Sequence, residues 1–248
     1  SSRNWRAPVA ERMEQGVDIR VRGLVKRYRS STVNAVDGID LDVQHGEFLG
    51  LLGPNGAGKT SLISIITGAR RATEGSVRIL ERDIVAQPDG VHAAIGLVPQ
   101  DIALYEMLTA RENLAFFGRL HGLDAKAIRG RSDQLLRRAG LHERADERIS
   151  RWSGGMQRRL NLITALLHEP PILFLDEPTV GIDVQSRAAI WGLLEEINRA
   201  GTTIVYTSHH LEEAERLCSR VVIVDHGRIV GEVERPGLDG SGGKCGGF

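Results

Sequence analysis

Eight consecutive residues carry the clearest chemistry in this sequence. Gly53-Pro54-Asn55-Gly56-Ala57-Gly58-Lys59-Thr60 fits the G-x-x-x-x-G-K-[ST] pattern of a phosphate-binding loop. A backbone that wraps a phosphate must bring successive N–H groups to its oxygens. Small residues permit that approach, and glycine tolerates the positive φ values involved. Lys59 would supply a cation to the β- and γ-phosphates and Thr60 a hydroxyl to Mg²⁺. The helix starting there adds its positive dipole end. The chain has only four lysines, at 26, 59, 126 and 244, so a lysine at this position is hard to ascribe to chance.

A second element pairs with that loop. The apolar run Ile172 to Leu175 ends in Asp176-Glu177, at the carboxyl edge of a strand, where ligands bind in open α/β sheets. Alone, such a pair reads as a strand end meeting solvent. Beside a phosphate loop, Asp176 becomes a holder of Mg²⁺ and Glu177 the group that orients and polarises a water against the γ-phosphate. A third element, Ser153-Gly154-Gly155-Met156-Gln157, opens a helix continuing through Leu160 and Ile163. Its free N–H groups and hydroxyl make another anion site. Two separate anion sites are one more than a single nucleotide needs.

The elements that must position these residues can be read from periodicity. Ile39, Leu41 and Val43 alternate with Asp40, Asp42 and Gln44, predicting a half-buried strand; His45-Gly46 then turns into a buried strand over Glu47 to Leu52. That strand runs into the loop, after which Leu62, Ile65 and Ile66 fall at helical spacing and Gly68 is a stop. From about Ile102 to Leu167 the pattern is mostly helical, with Gly122, Gly130 and Gly140 expected to break it into short pieces. Downstream, strands at Ile172 to Leu175, Thr203 to Tyr206 and Val221 to Val224 alternate with helices at Ala188 to Asn198 and Leu211 to Cys218. This predicts an α/β core with a parallel sheet covered on both faces, antiparallel strands at its start and a helical insertion.

Composition sets the outer limits. The 248 residues are 41% hydrophobic and 26% charged, within the globular range, and 32 basic residues balance 32 acidic ones. Nucleic acid is therefore not expected as a partner. Apolar runs are about four residues long, whereas a bilayer-spanning helix needs about 20. Cys218 and Cys245 are too few for a disulfide framework, and the polar opening Ser1 to Gln15 does not read as a secretory signal. Residues 1–16 and the glycine-rich 237–248 are expected to be a flexible lead and tail.

Taken together, the motifs resemble those of the ATP-binding subunits of ATP-binding-cassette transporters, over about Val17 to Arg235. Gly53 to Thr60 matches the family's Walker A motif, Ser153 to Gln157 its signature (commonly LSGGQ), and Ile172 to Glu177 its Walker B strand with the catalytic glutamate. Tyr28 matches the aromatic that stacks on adenine, Gln100 the Q-loop, Asp183 the D-loop and His209 the switch histidine. The resemblance implies a P-loop NTPase fold with a RecA-like parallel-sheet core over 17–236 and an inserted helical subdomain over about 102–167. It implies ATP and Mg²⁺ as ligands, with the metal near Thr60, Gln100 and Asp176. Glu177, His209, Gln100 and Lys59 would be the catalytic set. Tyr28, Gly53 to Ser61, Ser153, Gly154, Gly155, Gln157 and Asp183 would contact nucleotide.

In that family two cassettes pack head to tail, so each ATP lies between one Walker A loop and the other subunit's signature, which accounts for the two anion sites. The partners implied are a second copy or a homologous cassette and a separate transmembrane permease, with the chain held at the cytoplasmic face of the membrane. The segment after Gln100, with Leu104, Tyr105, Leu108, Phe116 and Phe117, is the expected docking surface. Tyr105 to Leu114 and Glu177 to Asp183 look most like the multidrug, antibiotic or polysaccharide exporter branch, whose subunits often continue into a C-terminal extension. Guanine-selective loops use Asn-Lys-x-Asp, and no Asn here precedes Lys, so the base should be adenine. Trp152, where Leu is usual, is expected to alter packing at the dimer face, and Ser61, where Thr is common, to matter little. The alternatives are a soluble cassette ATPase outside transport and a P-loop small-molecule kinase.

Overall fold

The computed structural model describes residues 16–29 and 31–235; the expected flexible lead and tail fall almost wholly outside them. Two sheets form the frame. Strands β1 (Val17–Arg27), β2 (Asn34–Gln44), β4 (Glu74–Ile79) and β5 (Arg82–Asp83) make an antiparallel sheet in the order β2-β1-β4-β5. Strands β3 (Phe48–Leu52), β6 (Ile95–Val98), β7 (Ile172–Asp176), β8 (Thr203–Ser208), β9 (Arg220–Asp225) and β10 (Arg228–Glu234) make the second, ordered β10-β9-β3-β8-β7-β6. It is parallel throughout except for β10, which returns antiparallel beside β9.

Side-chain alternation divides the core between the faces of this second sheet. Ile172 and Phe174 of β7 join Leu49, Leu51, Val205 and Val222 against the antiparallel sheet and helix α1 (Lys59–Ile66). Leu173 and Leu175 join Ile204 and Tyr206 on the opposite face, against α5 (Gly154–Leu166), α6 (Val184–Arg199) and α7 (Leu211–Leu217). Being covered on both sides explains why β7 and β8 are continuous apolar runs in sequence. A short helix, α2 (Pro88–His92), leads into β6.

Between β6 and β7, which are hydrogen-bonded neighbours, lie α3 (Ala110–Leu120), α4 (Ala125–Arg138), two 3-10 turns (His142–Arg144 and Ile149–Arg151) and α5. The stretch just after Gln100 is not helical. Helix α3 starts only at a capping box, where Thr109 Oγ1 accepts the Glu112 N–H and the Glu112 carboxylate accepts the Thr109 N–H. Two of the three expected glycine breaks occur: Gly122 and Gly140 take φ of +71° and +66° just after α3 and α4. Gly130 does not break the chain. It lies inside α4, where a Cβ would meet nothing within 4 Å, so glycine's cost in a helix of about 1 kcal/mol is outweighed by the apolar stripe Ile128, Leu135 and Leu136.

The α6 helix starts at Val184, four residues before the expected Ala188, because Asp183 caps it. Trp152 also departs from expectation. It is 5% exposed and packed in the helical core, so its ring does not reshape an outer face. Among the described residues no helix is long and apolar enough to cross a membrane.

Candidate functional site

Strand β3 delivers its chain directly into the glycine-rich loop, and packing dictates two of the glycines. A Cβ on Gly53 would lie 2.1 Å from the Val224 carbonyl oxygen, and one on Gly58, at φ +106°, would lie 2.3 Å from that of Ala35. The loop is thereby pressed against β2 and the end of β9. The N–H groups of Gly56, Gly58, Lys59, Thr60 and Ser61 find no acceptor among the described residues, and together they form a nest of donors at a helix start. Lys59 is 4% exposed; its Nζ donates to the carbonyls of Gly53 (2.7 Å) and Pro54 (3.0 Å).

The carboxylates arrive from the next strand but one. Register pairs Asp176 of β7 with Thr207 of β8. The Thr207 hydroxyl donates to Asp176 Oδ1 at 2.7 Å and accepts the Glu177 N–H at 2.9 Å. One threonine thus orients both acids. Glu177 itself is buried at φ +46°, a left-handed conformation that costs a non-glycine residue about 1–2 kcal/mol. Such strain collects at functional positions. One Glu177 oxygen lies 3.5 Å from Lys59 Nζ and the other 3.3 Å from His209 Nδ1. His210, its neighbour, turns its N–H back onto Ser208 Oγ at 3.0 Å. Adjacent strands β3, β8 and β7 therefore bring Lys59, His209, Asp176 and Glu177 to one edge.

Behind that edge lies a buried polar knot absent from the sequence reading. Glu213, 4% exposed, accepts the hydroxyls of Thr179 (2.9 Å), Tyr206 (3.0 Å) and Ser208 (2.8 Å). It ties the turn after Glu177 to the residue before His209, and burial raises the Tyr206 phenol well above its ordinary pKa.

On the outer side, the Tyr28 hydroxyl and Ser61 Oγ are 3.0 Å apart. Ser61 therefore has a role the sequence reading did not give it: it ties the aromatic ring to the phosphate loop. Lys26 and Arg70 lie 5.4 and 5.6 Å from the Tyr28 ring centroid. Gln100 is exposed just past β6; its side chain makes no hydrogen bond among the described residues, and its carbonyl is bound by Arg158 at 2.5 Å.

The Ser153-Gly154-Gly155 turn stands elsewhere. Ser153 caps α5, accepting the Met156 N–H at 3.3 Å. The Gly154 and Gly155 N–H groups find no acceptor among the described residues. A Cβ on Gly155 would lie 2.1 Å from Ser186 Oγ and 2.9 Å from Asp183 Oδ2, whereas one on Gly154 meets nothing within 4 Å. Asp183 accepts the Ser186 N–H at 2.8 Å, and that bond holds its carboxyl below the usual range. Gln157 is occupied at home, its amide donating to the Ile149 carbonyl at 3.0 Å. Among the described residues no hydrogen bond or ion pair joins 153–157 to 53–61. The structure thus gathers the expected nucleotide residues into two groups and leaves the groups apart.

Residues 36–180, more than half of the chain, match the ABC transporter family model. The chain belongs to the ABC transporter family. The linearmycin resistance ATP-binding protein LnrL of Bacillus subtilis is 43% identical to this cassette over 212 residues, 86% of this chain and 68% of its own length. The doxorubicin resistance ATP-binding protein DrrA of Mycobacterium tuberculosis is 40% identical over 212 residues, 86% of this chain and 64% of its own. The cassette thus spans about two thirds of the curated relatives it matches. Among solved structures, a dimeric ATP-binding cassette in a post-hydrolysis state with ADP and Pi superposes with a TM-score of 0.81 at 27% identity, over 89% of this chain and all of that one. The cassette has the P-loop α/β ATPase fold and binds ATP as an ABC-type ATPase.

Proposed function

We propose that the cassette hydrolyses ATP at a site completed only by a second cassette, and that the resulting closure and release drive export through separate membrane subunits. The observation that carries this is the division of nucleotide-binding elements: a donor nest at 56–61 and a second at 153–155, with no hydrogen bond or ion pair joining them among the described residues. A kinase would have no use for the second. The dimeric cassette that superposes on this fold supports pairing. Roles in linearmycin and doxorubicin resistance and in Nod factor export belong to relatives and support the exporter reading.

The residues present suit a hard divalent cation. Thr60 offers an exposed hydroxyl, Asp176 a carboxylate already oriented by Thr207, and Gln100 an amide oxygen; an all-oxygen set favours Mg²⁺. When bound there, Mg²⁺ would supply neutralisation of the charge on the nucleotide's phosphates. Lys59 then exchanges Glu177 and its loop carbonyls for phosphate, leaving the Glu177 carboxylate free to orient water and accept its proton. His209 keeps that carboxylate in place from the other side.

An exposed apolar cluster supports this segment as the docking surface for a permease: Tyr105, Met107, Phe116 and Leu120 are 49%, 67%, 40% and 71% exposed. Tyr105 packs edge-on to Phe116 with ring centroids 4.7 Å apart, while Leu104, Leu108 and Phe117 are half-buried beneath. Docking there would hold the cassette at the cytoplasmic face of the membrane.

Complementation tests the shared site. Lys59→Ala removes the ammonium from one phosphate site and Ser153→Glu sets a negative charge at the other, so each variant alone should be inactive. Mixed, they can assemble one intact site, and ATPase activity should return. A mixture no more active than its components would count against the proposal.

A further inference from the structure

Arg158 of α5 reaches both the turn after β6 and the turn after β7. It is 4% exposed. Its Nε donates to the Pro178 carbonyl at 2.8 Å and its Nη2 to the Glu177 carbonyl at 3.0 Å. Its Nη1 donates to the carbonyls of Pro99 at 3.2 Å and Gln100 at 2.5 Å. No carboxylate among the described residues lies within ion-pair distance of it. Burial accordingly pulls its pKa down, partly offset by the charges of Asp101 and Asp176. A site needing only packing would hold an apolar side chain, since a buried cation stabilises a fold poorly. The planar fork does what no apolar residue could, spanning two turns and gripping the carbonyl of a residue held at φ +46°.

Arg158 is also five residues from Ser153 in the same helix, about 7.5 Å along its axis. The geometry points to Arg158 as a positioning residue that couples phosphate contact at Ser153-Gly154-Gly155 to the placement of the chain's own Glu177 and Gln100. A partner's nucleotide that draws on the start of α5 moves the guanidinium with the helix, and with it the carbonyls it holds. Each glutamate is then set by the other site's ATP, and hydrolysis becomes cooperative. This rests on the shared-site reading above.

Arg158→Lys tests it, because lysine keeps the charge and the stem but lacks the fork. Nucleotide affinity, measured with a fluorescent ATP analogue at dilutions where the protein is monomeric, should stay within about twofold of the parent. The kcat should fall roughly tenfold or more, and the Hill coefficient for ATP should fall toward one. Parental kcat and cooperativity would overturn the inference, and so would a parallel loss of affinity and kcat, which is the mark of a merely structural residue.

Should the lysine variant not fold, hydrogen exchange on the parent decides. Protection of 99–101 and 177–179 should rise together on adding a non-hydrolysable ATP analogue with Mg²⁺, and Ser153→Glu should abolish both rises. A rise in either segment that survives Ser153→Glu overturns the inference. The two readings fail differently: no ATP-dependent dimer in Glu177→Gln sinks the shared site, whereas a dimer with parental behaviour in Arg158→Lys sinks only the coupling.

Discussion

Glu177 Oε2 stands 3.3 Å from His209 Nδ1, with both residues presented from the ends of neighbouring strands. The histidine holds a carboxylate whose other oxygen faces Lys59 at 3.5 Å. Catalysis and binding therefore draw on different sides of one group.

Glu177→Gln keeps the shape of that side chain while removing its basicity. The variant should bind ATP as the parent does, lose hydrolysis by about 10²- to 10⁴-fold, and accumulate as a nucleotide-bound dimer. Size-exclusion chromatography with light scattering, at saturating ATP and Mg²⁺, checks this; a profile of monomer alone contradicts it.

Lys59→Ala should weaken ATP binding by about 2 kcal/mol or more, because a buried ammonium aimed at the loop is lost. Tyr28→Ala should cost about 1–3 kcal/mol in lost stacking. Tyr28→Phe keeps the ring and forfeits only the bond to Ser61, so its loss should stay near 1 kcal/mol or below. Calorimetric titration ranks the three, and equal affinities would show the pocket to be misassigned.

Gly154 and Gly155 are neighbours with opposite demands. Gly155→Ala forces a Cβ onto Ser186 and should destabilise the fold by about 1–3 kcal/mol. Gly154→Ala meets open space and should melt like the parent, yet lose ATPase activity as its methyl group intrudes on the partner's phosphate. Melting curves beside turnover rates separate the two, and equal melting losses would argue against it.

His168 governs an acid limit. Its ring stacks on His121 with centroids 3.8 Å apart, and its Nε2 lies 2.9 Å from the Ile95 carbonyl oxygen. Burial, with His121 and Arg131 adding repulsion, pulls it down to about 4. The unfolded chain thus takes up this proton near 6.5, before the folded one does, so stability is lost as pH falls from about 6.5 to about 4. At pH 5 the loss from this group is about 2 kcal/mol. His168→Gln should shrink the difference in melting temperature between pH 7.5 and pH 5 by several degrees; an undiminished difference would falsify the assignment.

The chemistry was legible in sequence where residue type and spacing coincide with a local backbone need, as at Gly53 to Thr60 and at Asp176-Glu177 after an apolar strand. What stayed hidden depends on partners distant in sequence. Arg158 lies on the buried stripe of α5 with Gly155 and Leu162, but its acceptors at Pro99, Gln100, Glu177 and Pro178 are assembled only by the fold. Thr207 becomes visible as the orienter of both acids only through the β7–β8 register. Gly155 reads as a phosphate glycine, while packing against Ser186 already requires it. Gly130 misled because glycine lowers helix propensity without forbidding a helix that has an apolar face to bury.

The whole stretch from Pro99 to Pro171 leaves from one strand and returns to the strand hydrogen-bonded beside it. The outward face of that excursion can be reshaped without re-registering any strand and without touching Gln100, Ser153 or Arg158, which lie in the same stretch. New outward side chains around Tyr105 and Phe116 could retarget the cassette to a different membrane partner, while the hydrolytic edge carried by β3, β8 and β7 is inherited unchanged. The permease-facing surface is thus free to evolve at its own rate.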